Sequence, residues 1–74
     1  MRNVLRELRE KNALTQVALG AALGVSRQTI NALEAGRYDP SLPLAFRISA
    51  YFGEPIEDIF FPDVDDLPPN GGRP

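Results

Sequence analysis

The run from Thr15 to Gly36 constrains this chain more than any other segment. It holds two short helical stretches, each opened by a hydroxyl residue and closed by a glycine: Thr15 to Gly24, then Ser26 to Gly36. A hydroxyl at a helix start accepts a bond from a first-turn N–H that has no intrahelical partner. A glycine at the other end supplies the left-handed residue that stops the helix at little steric cost. Only Val25 separates Gly24 from Ser26, so the second stretch must turn sharply away from the first. Val25 is apolar and can drop into the angle between the two helices, where Leu19, Leu23, Ile30 and Leu33 can close over it.

Three further helical stretches surround this pair. The first spans about Arg2 to Asn12, with Leu5 and Leu8 on one face and Arg6, Glu7, Glu10 and Lys11 around the rest. The fourth starts at Ser41 and runs to about Phe52. Pro43 falls in its first turn, where a missing N–H does no harm. Leu44, Ile48 and Phe52 recur at a spacing of four as a core stripe, and Gly53 ends it. Pro55 opens a short fifth helix, Ile56 to Phe60. No stretch alternates as a half-buried strand does. The expected architecture is therefore all-α, with five helices in residues 1–61. Residues 62–74, with four Pro, two Gly and several acids, are expected to form a flexible tail.

Composition narrows the chemistry. The chain has 74 residues, room for one small domain, and its 43% hydrophobic and 24% charged residues suit a globule rather than a disordered chain. It has no Cys and no His, which excludes disulfides, Cys/His zinc sites, histidine bases and thiol nucleophiles. No nucleophile–base pair stands out, so no enzymatic activity and no cofactor are expected. Asp63-Val64-Asp65-Asp66 lacks the following glycine and closing glutamate of a calcium loop, so no metal is expected either. No apolar run approaches the roughly 18 residues of a membrane span, and the N-terminus is charged where a signal peptide is apolar. A cytoplasmic protein is expected.

The net charge of −2 conceals a division. Residues 1–38 carry six basic residues against three acids, and residues 39–74 carry two against seven, a split of +3 and −5. One end is suited to an anion and the other is not. The net acidity argues against strong sequence-independent binding to nucleic acid.

The outer face of the third helix follows from helical geometry. With Ile30 at 0° and Leu33 at about 300°, the core lies at about 330° and the outward direction at about 150°. Gln28 then falls at about 160°, Ala35 at about 140°, Ala32 at about 200° and Asn31 at about 100°, with Arg27 and Thr29 flanking at about 60° and about 260°. Arg, Gln, Thr and Asn carry the hydrogen-bonding chemistry that reads base edges in the DNA major groove. Arg suits guanine, Gln or Asn suits adenine, and the alanine methyls can touch thymine.

The whole run has the pattern of a helix-turn-helix. The chain resembles the Cro/C1-type (XRE family) helix-turn-helix DNA-binding proteins. The resemblance rests on Arg6-Glu7-Leu8-Arg9-Glu10, Leu14-Thr15-Gln16, Leu23-Gly24-Val25-Ser26, Ile30, Leu33-Glu34, Gly36, Pro40-Ser41-Leu42 and Ile56-Glu57-Asp58-Ile59-Phe60, and covers about residues 4–61. It implies a compact, lambda-repressor-like domain whose third helix enters the major groove of double-stranded DNA. It further implies base contacts from Arg27, Gln28 and Ala32, to which the face geometry adds Asn31. Gln16, Thr29 and Arg37 would meet phosphates, and Arg9 and Glu34 would form a structural ion pair. The implied activity is that of a small repressor binding a pseudo-palindromic operator as a dimer. Tyr51, Phe60 and Phe61 in the C-terminal half are the expected dimer surface.

The sequence also departs from the family pattern. Val17, Ala18, Ala21 and Ala22 stand where the second helix usually carries charges, Gly20 replaces a usual alanine, and Glu54-Pro55 replaces a hydroxyl cap. Two other functions stay open on these residues: an antitoxin-type DNA binder that depends on a protein partner, and an interaction module that has lost DNA binding.

Overall fold

The computed structural model describes residues 1–63. Its elements run β1 (Arg2–Asn3), α1 (Leu5–Lys11), α2 (Gln16–Leu23), α3 (Arg27–Glu34), α4 (Leu42–Phe52), α5 (Ile56–Ile59) and β2 (Phe60–Phe61). The caps are built from the hydroxyls at the helix starts. Thr15 Oγ1 accepts from the Ala18 amide at 3.0 Å, Ser26 Oγ from Thr29 at 3.1 Å and Ser41 Oγ from Leu44 at 3.2 Å. Gly24 ends α2 at φ 75°, and the Val25 amide donates back to the Gly20 carbonyl at 2.9 Å.

The core lies where the helix faces meet. Leu5, Leu19, Ile30, Leu33, Ile48 and Ile59 are fully enclosed, and Val25 packs half-buried against them from the turn. Gly20 explains its own departure from alanine. A Cβ there would stand 2.6 Å from the Val25 carbonyl oxygen, closer than a side chain tolerates, so the bare α-carbon lets the turn fold tightly against α2.

The five-helix architecture carries one addition. Arg2–Asn3 does not begin the first helix but forms a strand antiparallel to Phe60–Phe61, with Arg2 opposite Phe61 and Asn3 opposite Phe60. The Val4 amide extends the pairing to the Ile59 carbonyl at 3.0 Å. Asn3 explains why α1 starts late. Its Oδ1 accepts from the Leu5 amide at 3.1 Å, while its Nδ2 donates to the Leu33 carbonyl at 2.8 Å. One side chain thus satisfies an orphan donor at the start of α1 and a carbonyl near the end of α3. The α-ammonium of Met1 lies beside them, donating to the Gly36 carbonyl at 3.1 Å and pairing with Asp39 at 3.2 Å.

The strand pair corrects one expectation for the C-terminal half. Phe60 leaves α5 with extended backbone, φ −117° and ψ 131°, and buries its ring in the core at 5% exposure. It is an internal residue and offers no surface to a second copy. Phe61 is half-buried, with the Arg2 guanidinium 5.9 Å from its ring centroid. Tyr51 stays exposed and meets Phe52 edge-on, with ring centroids 5.1 Å apart. Of the expected flexible tail, residues 64–74 lie outside the described residues.

Candidate nucleic-acid interface

The site begins with what holds α2 and α3 in place. Arg9 on α1 reaches Glu34 at the end of α3 through two bonds, Nε to Oε2 at 2.6 Å and Nη2 to Oε1 at 3.2 Å. Its Nη1 donates to the Leu14 carbonyl at 2.9 Å. The Gln16 amide nitrogen, in the first turn of α2, donates to Glu34 Oε1 at 3.1 Å. One carboxylate therefore ties three helices. The hydrogen bond that Arg9 donates to Glu34 and, more weakly, the negative charge of Glu34 raise the pKa of Arg9 above its ordinary value against the opposing effect of burial. Because Glu34 is enclosed and paired with Arg9, it presents no bare negative charge to an approaching polyanion.

Beyond this tie, α3 turns its other side to solvent. Arg27, Gln28 and Asn31 are exposed, while Thr29 and Ala32 are half-buried. The Thr29 hydroxyl lies 3.1 Å from Ser26 Oγ, within the cap of the helix. Arg37, just past Gly36, is exposed and donates to Asn31 Oδ1 at 3.2 Å, so a cation and an amide sit together at the C-terminal end of the face. Gln16 is half-buried, its amide nitrogen turned inward to Glu34. Arg9, Gln16, Asn31 and Glu34 all line one depression between α1, α2 and α3.

Two residues with a place in this site are absent from the sequence-based candidates. Asn3 braces the end of α3 from a distant strand, which no local pattern reveals. Tyr38 is 46% exposed in the loop after α3 and borders a shallow depression with Gln28, Thr29 and Ala32. An aromatic residue two positions past Gly36, the glycine that follows α3, was the available signal for it.

Two capped helices of eight residues, joined across Gly24 with their apolar sides on one core, define a helix-turn-helix. The chain belongs to the helix-turn-helix family, whose model matches residues 5–59. It is similar to an uncharacterized HTH-type transcriptional regulator of Methanocaldococcus jannaschii, 54% identical over 66 residues that span 89% of this chain and 100% of the relative. A second, from Methanothermobacter thermautotrophicus, is 56% identical over 88% of this chain and 96% of its own length. A third, from Bacillus subtilis, is 44% identical over 82% and 92%. No helix among the described residues is long and apolar enough to cross a membrane.

Proposed function

We propose that this protein is a sequence-specific DNA-binding transcription regulator, a small cytoplasmic repressor that places α3 in the major groove. The observation that carries it is the outer face of α3: Arg27, Gln28 and Asn31 stand exposed beside Arg37, and the one acid of that helix, Glu34, is paired inward. The relatives, themselves described as HTH-type transcriptional regulators, support the same reading. Arg27, Gln28 and Asn31 supply hydrogen bonds to base edges, and Ala32 supplies a methyl. Arg37 neutralises a phosphate at the C-terminal end of the helix. Thr29 and the carbonyl end of the Gln16 amide add neutral phosphate-side contacts, with Gln16 oriented by its bond to Glu34. Arg9 and Glu34 stay off the DNA and hold the reading helix in place.

A single recognition helix reads few base pairs, so the protein works as a dimer on half-sites about one helical turn apart, roughly 34–36 Å. Tyr51 and Phe61 are the dimer residues of the C-terminal half, while Phe60 lies in the core. Selection of bound fragments from a random DNA library tests the function. A two-fold symmetric motif is the expected product, and failure to enrich any motif rejects it. Phe61→Glu tests the interface, with sedimentation as the readout. Parental sedimentation of that variant places the dimer contact elsewhere.

A further inference from the structure

The outer face of α3 has two flanks of unlike chemistry. One carries Arg27 and Asn31, joined by Arg37 from the loop. The other carries Thr29 and Ala32, joined by Tyr38 from the same loop, and here the surface dips into a depression that Gln28 closes from the centre of the face. The first flank is all hydrogen-bonding groups. The second is walled by an aromatic ring, an alanine methyl and the carbon atoms of Gln28 and Thr29. The Thr29 hydroxyl at its edge is already engaged with Ser26.

Tyr38 has no structural reason to be aromatic that the fold discloses. It is 46% exposed, and among the described residues it has no hydrogen-bond partner, ion pair or ring contact. Exposing part of a tyrosine ring next to residues that face the major groove makes sense if something apolar covers it there. The natural bases present only one apolar group on their major-groove edges, the C5-methyl of thymine.

We propose that Tyr38, Ala32, Thr29 and Gln28 form a seat for a thymine methyl, with Tyr38 as a specificity-determining residue. The proposal rests on the DNA-binding function above. It divides the reading of each half-site between two mechanisms: hydrogen bonds on the Arg27–Asn31 flank and shape on the Tyr38 flank. It also gives the loop after α3 two tasks, since adjacent residues serve opposite ends of the chemistry: Arg37 answers charge and Tyr38 answers a methyl group.

The test replaces each thymine of the selected motif, one at a time, with deoxyuridine, which removes only the methyl. At one position per half-site the affinity of the wild-type protein should fall about fourfold, the value of one buried carbon group. Tyr38→Ala should bind the thymine and uracil versions of that site alike, with its melting temperature and salt slope unchanged. Tyr38→Phe, which keeps the ring, should retain the discrimination. Failure to select any motif overturns the DNA-binding function and this assignment together. A selected motif without thymine in its half-site, or one whose thymines all tolerate uracil, overturns the seat alone. So does a discrimination that survives in Tyr38→Ala. A loss of affinity in that variant that is uniform across all sequences would instead place Tyr38 on the DNA backbone and likewise overturn the seat.

Discussion

Helices α2 and α3 are the same length, and each is opened by a hydroxyl that accepts from the amide three residues on. They differ in what they show to solvent. Outward from α3 stand Arg27, Gln28 and Asn31; outward from α2 stand Val17, at 61% exposure, and the small side chains of Ala18, Ala21 and Ala22. An amphipathic pattern identifies α3 at once, whereas α2 is apolar nearly all round and reads by that measure as a helix buried on every side. Its caps and its glycine stop locate it nonetheless. The pair teaches that helix limits come from end chemistry, while the free face records what the helix meets.

Helices α2 and α3 depend most on one group they share, the Glu34 carboxylate. Glu34→Ala removes the acceptor of Gln16 on α2 and leaves the Arg9 guanidinium without its carboxylate, bonded only to the Leu14 carbonyl. Orphaning a buried charge in this way should cost about 3–5 kcal/mol in denaturant unfolding. A loss below about 1 kcal/mol would mean that apolar contact alone holds α2 to α3.

Gln28→Ala separates function from fold on α3. Gln28 is exposed and has no side-chain hydrogen bond among the described residues, so the melting temperature should hold. Affinity for the selected site should fall by about 1–3 kcal/mol, with discrimination lost at one base position. A large drop in melting with discrimination intact would remove Gln28 from the reading face.

Thr15→Ala and Ser26→Ala probe the feature the two helices have in common. Each should lose about 1 kcal/mol of stability, and by similar amounts. Clearly unequal losses would show that the cap matters more for one helix than for its twin. The smallest effect belongs to the free face of α2. Ala21→Lys should change stability by less than about 0.5 kcal/mol. A larger loss, measured by thermal unfolding, would mean that this face is covered in the folded protein.

Legibility in the sequence divides along the same line of local against distant chemistry. Thr15, Ser26, Ser41, Gly24 and Gly53 act within a few residues of themselves, so their roles could be read directly. Ile30 and Leu33 fixed the core direction of α3, and Gln28 and Asn31 duly lie exposed on its far side. The strand pair was invisible because two residues are too few to show an alternation. Phe60 was misplaced for that reason: a ring counted as the outer surface of a helix is turned inward once its backbone extends. Asn3 and Tyr38 owe their significance to partners 30 residues away and to the shape of a loop, respectively. Asn3 leaves no mark in a local pattern; Tyr38 shows only as an aromatic residue just past Gly36, without the neighbours it borders in the fold.

The pairing of Arg2–Asn3 with Phe60–Phe61 also bears on the order of events during synthesis. The first strand leaves the ribosome ahead of the helices and then waits for nearly the whole domain to follow before its partner exists. Helices α2 and α3 need only each other's nearby residues and can nucleate long before that. Joining distant segments carries a larger loop-closure entropy than joining near ones, so such contacts form late. The strand pair is thus expected to be a latch, last to close on a nascent chain and first to open in a mature one. Hydrogen exchange should register this as earlier exchange of the Val4 amide, bound to Ile59, than of the Ile30 amide inside α3.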